Sequence, residues 1–235
     1  YIVFVWGFRG YINMNVVPKD AYEIKVTGQK WFWSFDYPTG ATTVNELVVP
    51  VGKPIKLLMS SKDVIHCLFV PDFRTKRDVL PNRYSIQWFE ATSTGEFIIE
   101  CAEYCGTKHS EMLGKVRVMS EVDFNKWLET NSNAGEGMAP EEYGAKLYTT
   151  KACITCHSTD GKPGTGPSWK GIYGTREKLT DGSAILVDEN YIRESILQPQ
   201  AKVVAGFQPV MPTFQGILKD RDIDAIVAYI KSLAK

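Results

Sequence analysis

Between Cys101 and Met112 the chain reads Cys101-Ala-Glu-Tyr-Cys105-Gly-Thr-Lys-His109-Ser-Glu-Met112, two thiols, an imidazole and a thioether at intervals of four, four and three residues. These are soft or borderline donors, and they suit copper better than magnesium or calcium. A second imidazole, His66, stands 35 residues before Cys101 in Asp63-Val-Ile-His66, a separation that an intervening pair of strands would close. Two bridging thiolates, two histidines, one methionine and a main-chain carbonyl would hold two copper ions. Two plainer readings compete. Cys101 and Cys105 could be joined as a disulfide, or two Cys and two His could hold a single structural zinc, whose usual ligands these are. Zinc leaves Met112 without a role, and the cysteine spacing is not C-x-x-C.

A second constellation, Cys153-Ile-Thr-Cys156-His157, has the form of a c-type haem attachment site. Two thiols add across the haem vinyl groups, and the histidine beside the second thiol reaches the iron from one face. The two motifs together take four of the five cysteines and all three histidines. Only Cys67 is left over, which is poor support for a disulfide framework.

The elements that must position these groups differ between the two halves. With 235 residues the chain is long enough for two modest domains. Basic and acidic residues balance at 27 each, divided 15 to 16 before residue 139 and 12 to 11 after it. Neither half has the basic excess of a nucleic-acid-binding protein. From Tyr22 to Val118 short alternating runs are broken by turn signals at Asn45, Gly52 with Pro54, Pro81 with Asn82, and Gly95. Glu23–Thr27, Glu46–Val49 and Ile55–Met59 are predicted strands, and Glu96–Cys101 and Lys115–Val118 flank the sulfur-rich loop. Such a pattern predicts a Greek-key β-sandwich. Trp31-Phe-Trp-Ser-Phe-Asp-Tyr37 would place Trp31, Trp33, Phe35 and Tyr37 on one side of a strand, with Trp33 and Phe35 as core.

Val122–Leu128 is predicted to close this part with a short helix, and residues 129–139, small and polar, are predicted to be a linker. Residues 140–235 open with helical spacing at Tyr143, Leu147 and Tyr148. They end with it at Ile223, Ile226, Val227, Ile230 and Leu233. The apolar start, Tyr1–Phe8, stops at Arg9, far short of the ~20 residues of a spanning helix. By itself it could equally be a buried strand.

C-x-E-x-C-G-x-x-H-x-x-M, preceded by D-V-I-H and V-P-x-F-x-x-K-x-D, resembles subunit II of cytochrome c oxidase. The resemblance implies a cupredoxin-like sandwich over 14–128 and a mixed-valence dinuclear copper centre, Cu-A. Cys101 and Cys105 would bridge the coppers, His66 and His109 would each bind one, Met112 would be a weak ligand and Glu103 would lend its carbonyl. It further implies that the Glu103 carboxylate faces a magnesium ion shared with the catalytic subunit, and that Trp31 is the electron entry point. Residues 1–13 would be the end of a membrane helix that begins before Tyr1. Cys67 stands where that family commonly has serine. Following a ligand directly, it points the other way in an extended stretch and is expected to be a buried small hydrophobe.

Residues 140–235 resemble a class I cytochrome c domain, so the fold class is mainly β followed by a small helical unit. In that resemblance Gly144 and Tyr229 sit where the first and last helices cross, and the Pro167 carbonyl orients the axial His157. Met211, the only methionine after the haem motif, is then the sixth iron ligand of a covalently attached haem c, and it precedes Pro212 as in the family. His/Met ligation raises the haem potential relative to many other axial sets. The chain is accordingly expected to pass electrons from an external donor, such as a cytochrome c or a quinol-oxidising complex, through haem c and Cu-A to the catalytic subunit I. It would lie among other membrane subunits on the extracytoplasmic face of a prokaryotic membrane. A Cu-A-containing nitric oxide reductase would use the same path. A stand-alone carrier is the third reading, against which the apolar start argues. Nitrous oxide reductase has its copper domain after a large propeller and lacks this haem domain.

Overall fold

The computed structural model describes residues 1–235 except Asn133, Ala134, Glu136 and Lys235. The chain forms two units, Tyr1–Asn133 and Ala134–Lys235. The first opens with helix α1 (Ile2–Asn15), none of whose residues is buried, so Tyr1–Phe8 is not the buried strand that its apolarity also allowed. Among the described residues no helix is long and apolar enough to cross a membrane.

Ten strands follow: β1 (Tyr22–Gln29), β2 (Phe32–Asp36), β3 (Thr42–Val44), β4 (Glu46–Pro50), β5 (Pro54–Ser61), β6 (His66–Val70), β7 (Thr75–Val79), β8 (Ser85–Glu90), β9 (Gly95–Cys101) and β10 (Leu113–Met119). They make two five-stranded sheets, in the orders β3-β2-β1-β5-β8 and β4-β10-β9-β6-β7. The predicted sandwich is present, with each predicted strand extended by one to three residues. β5 shows why this sequence makes strands: Ile55, Leu57 and Met59 are buried and Lys56, Leu58 and Ser60 only partly so, the period of two that lines one face of a sheet. Trp33, Phe35, Ile24, Leu47, Leu68 and Ile99 fill the space between the sheets. Two neighbours run parallel, β1 with β5 and β4 with β10, so neither sheet is a simple meander.

Asn45 and Asn82 adopt φ of 56° and 59°, the left-handed region that asparagine tolerates. The aromatic run departs from expectation. β2 spans Phe32–Asp36, so Trp31 and Tyr37 flank the strand rather than lying on it, while both pack with the core that holds Trp33 and Phe35. The closing helix α2 (Glu121–Ser132) is also longer than Val122–Leu128. Ser120 Oγ accepts from the Asp123 N–H at 3.1 Å, which caps it, and Phe124 and Leu128 bury one face against the sandwich. The helix thus takes up 129–132 of the expected linker. Of the rest of that linker, Asn133, Ala134 and Glu136 lie outside the described residues.

The second unit has helices α3 (Pro140–Thr150), α4 (Glu189–Leu197) and α5 (Asp220–Ser232). α3 and α5 are packed so closely that a Cβ on Gly144 would lie 2.0 Å from the Ala225 carbonyl oxygen and 2.6 Å from Tyr229 Cβ. Glycine is the only residue that this crossing admits, as the resemblance implied. Tyr143 Oη donates to Asp222 at 2.7 Å and ties the same two helices at one end. Two elements went unpredicted. A hairpin of β11 (Arg176–Lys178) and β12 (Ala184–Leu186) turns at Asp181-Gly182, so the unit is not wholly helical. α4 is capped by Asp188, which accepts from the Tyr191 N–H.

Candidate metal and haem centres

The register of the second sheet assembles the sulfur site. β7 and β8 intervene between His66 and Cys101, and β9 returns antiparallel to β6 with Leu68 opposite Cys101. The Ala102 N–H donates to the Cys67 carbonyl at 3.0 Å, extending that pairing to the rim. The inward alternation of β9 turns Ile99 and Cys101 to the interior. Beyond it the chain turns at Gly106, whose φ of +120° favours glycine, and enters a single 3-10 turn, His109–Glu111, before Met112. A Cβ on Gly106 would press on the Trp31 ring at 3.1 Å.

All six expected donors converge. Cys101 Sγ lies 3.8 Å from Cys105 Sγ, 4.0 Å from His66 Nδ1 and 3.2 Å from the Glu103 carbonyl oxygen. Cys105 Sγ lies 3.6 Å from His109 Nδ1 and 3.8 Å from Met112 Sδ. Both cysteines are free, at nearly twice the ~2.05 Å of an S–S bond. An ion at metal–thiolate distance, ~2.3 Å, can touch both sulfurs across that gap. The ligand atoms of His66, Cys101 and Cys105 all fall within 4.8 Å of one another, and all three residues are buried. The residues present therefore fit a thiophilic metal. Glu103, in contrast, is exposed.

The sequence alone assigns Asp63 no role. Its carboxylate accepts from the Lys30 and Val64 N–H groups at 2.8 and 2.7 Å and meets His66 Nε2 at 2.8 Å. It thereby holds the ring with Nδ1 toward the sulfurs, the usual way a carboxylate orients a metal-binding histidine. Its position three residues before His66 was the available signal. Burial opposes the Asp63 charge, but these hydrogen bonds outweigh it and hold its carboxyl below the usual range. Burial also works against a charged His66, and Asp63 together with Cys101 more than offsets it, so the ring lies above its ordinary pKa. In the sulfur pair, burial disfavours both thiolates. The hydrogen bond from His66 brings Cys101 below an ordinary thiol, while burial and the neighbouring Cys101 charge push Cys105 up. A cation between them is what lets both ionise.

Trp31 stands half-buried beside the loop, its Nε1 donating to the Cys105 carbonyl at 3.2 Å. Tyr104 projects from the same loop, 74% exposed, with its ring edge against His109. Cys67 is buried against β7 opposite Asp78, and burial pushes its thiol up to about 12. That is the inert small hydrophobe expected.

The second centre is local. Cys153–Thr155 form one 3-10 turn, and the His157 N–H donates to the Cys153 carbonyl at 3.0 Å. His157 Nδ1 donates to the Pro167 carbonyl at 2.8 Å, leaving Nε2 for a ligand. Burial holds the ring below its ordinary pKa, so it is neutral and able to bind a metal. Cys156 and His157 form one part of the wall of a mainly apolar cavity, and Met211 forms another. Gln200 Nε2 donates to the Pro209 and Met211 carbonyls at 2.9 and 3.3 Å and braces the Met211 segment. Two unpaired thiols, a neutral imidazole, an apolar cavity and a thioether on its wall fit a covalently held haem.

Residues 40–119 match the family model described as cytochrome C oxidase subunit II, periplasmic domain, and residues 141–234 match that of cytochrome c. Cytochrome c oxidase subunit 2 of Alkalihalophilus pseudofirmus is 31% identical over 216 residues, 89% of this chain and 60% of that protein. An alternative cytochrome c oxidase subunit 2 of Bradyrhizobium diazoefficiens is 36% identical over 144 residues, 48% of this chain and 52% of that one. The chain thus spans about half to three-fifths of these relatives' lengths. The crystal structure of the periplasmic domain of oxidase subunit II from Bradyrhizobium japonicum is 35% identical, with a TM-score of 0.49, covering 53% of this chain and all of that one. With one family model on each of its two units, the chain joins a periplasmic domain of the cytochrome c oxidase subunit II family to a cytochrome c domain.

Proposed function

We propose that this chain is the electron-entry subunit of a haem–copper oxidase, taking electrons from an external donor on haem c and handing them through Cu-A to a catalytic subunit that reduces oxygen to water with proton translocation. The observation that carries this reading is the convergence of two unlinked thiols, two imidazoles, a thioether and the Glu103 carbonyl around one buried point. Cys101 and Cys105 would bridge two copper ions, with His66 and His109 as terminal ligands, Met112 weakly bound and the Glu103 carbonyl alongside. Copper supplies one-electron exchange there; the chain supplies ligands already held in place by β6, β9 and the Asp63–His66 contact. In the second unit Cys153, Cys156, His157 and Met211 would hold haem c.

Trp31 is the candidate entry residue, because its indole donates directly to the main chain of a bridging ligand. A magnesium at the exposed Glu103 carboxylate would need its remaining ligands from the catalytic subunit. The exposed apolar side chains of α1, among them Ile2, Phe4, Trp6 and Phe8, fit an anchor at the extracytoplasmic side of a membrane. The two soluble units would lie on that side, where haem attachment and copper insertion take place.

Elemental and haem analysis of the purified chain tests the site: two copper, one haem and no zinc per chain are expected. One zinc in place of copper would dispose of Cu-A. Stopped-flow reduction should show haem c reduced first and copper second. Oxygen or nitric oxide consumption by the assembled complex distinguishes the oxidase from a nitric oxide reductase, and recovery only from the soluble fraction would leave a free carrier.

A further inference from the structure

The axial histidine of the second unit is held by more than the Pro167 carbonyl. The Tyr148 hydroxyl, on α3, donates to the His157 carbonyl at 2.6 Å. The Trp169 ring lies against the imidazole at 5.5 Å between centroids and 31° between planes. Main chain also lies close against the ring: a Cβ on Gly166 would come within 2.6 Å of His157 Cε1 and 2.9 Å of Nδ1. Trp169 is itself fixed, because its N–H donates to the Ser158 carbonyl at 2.8 Å and its ring packs on Tyr148 and Tyr229. An imidazole bound by one nitrogen and hydrogen-bonded by the other still rotates about the axis joining them. Beyond the ring's own bond to Cβ, groups packed on it limit that rotation, and main-chain contacts limit the drift of its anchor.

We infer that Trp169 and Tyr148 are positioning residues that set the plane of the His157 imidazole, Trp169 by packing its ring on the imidazole beside Gly166 and Tyr148 by tethering the carbonyl of the same residue. This rests on the reading of His157 as a haem ligand. Its consequence is electronic, since the orientation of an axial imidazole decides how its π orbital meets the iron d orbitals and so how the ferric spectrum splits. Packing alone would affect stability and leave that splitting in place.

The test uses the full haem-bearing chain in the ferric state, with the electron paramagnetic resonance g-values, the spread of haem methyl proton shifts and the haem potential as readouts. Trp169→Leu is expected to shift and broaden the g-values and alter the methyl pattern, and Trp169→Phe, which keeps a ring face, is expected to restore most of the native pattern. Tyr148→Phe loses one hydroxyl and no packing volume, and it is expected to move the same readouts in smaller measure. If Trp169→Leu does not mature, Tyr148→Phe decides alone. Native spectra and potential in the haem-bearing variants, with only a lowered unfolding temperature, would overturn the inference. Absence of covalent haem from the unaltered chain would instead overturn the haem reading beneath it.

Discussion

The two centres are built on opposite plans. The haem centre draws Cys153, Cys156 and His157 from five consecutive residues, and one 3-10 turn brings them together. Its long-range needs are Pro167, ten residues on, and Met211 in the wall of the same cavity. The sulfur centre draws His66 from β6 and the rest from a loop 35 residues later, and it exists only if β6 and β9 pair in the right register. A slip of one residue there would turn His66 and Cys101 to opposite faces. The haem unit is instead most exposed at its helix crossing, where Gly144 leaves no space for a side chain. One centre therefore depends on strand register and the other on helix packing, and damage to each should stay within its own unit.

The first way to break that independence is Cys105→Ser. Cys105 touches Cys101, His109 and Met112, so copper should fall from two per chain to near none by elemental analysis, with haem content unchanged. Met211→Ala should lower the haem potential, measured by redox titration, and leave copper in place; equal loss of copper would show the centres coupled. Gly144→Ala forces a Cβ into the Ala225 carbonyl and should cost the second unit about 3 kcal/mol, at the upper end of ordinary overpacking. In a denaturant titration only that unit's transition should move. Asp63→Asn keeps the volume but removes the charge that orients His66. Copper affinity against a competing chelator should then drop about 10-fold to 100-fold, the usual effect of losing such a support.

Legibility in the sequence followed the range of the interaction. The soft-donor loop could be read because its residue types are rare and its spacing short. The strands were readable from alternation such as Ile55, Leu57 and Met59. Asp63 was overlooked because a carboxylate near a histidine is common, and only the fold aims it at Nε2. Trp31 was set on a strand face by simple alternation, but β2 starts after it and the indole serves the Cys105 carbonyl instead. α2 runs past Leu128 because Phe124 and Leu128 dock one face while nothing in 129–132 breaks the helix. The hairpin at Asp181-Gly182 has a turn signal, but its three-residue strands are too short to show alternation.

The chain of residues alone decided which atoms are available: four thiols in two motifs, three imidazoles and a thioether for each centre, types with few other uses at such spacing. The folded structure decided where those atoms meet. Strand pairing closes 35 residues to 4.0 Å between His66 and Cys101, and the irregular segment after the haem motif brings a tryptophan back against an imidazole. Ligand chemistry belongs to single side chains and survives translation into letters. Distance and orientation are sums over many weak contacts, and no local stretch contains them.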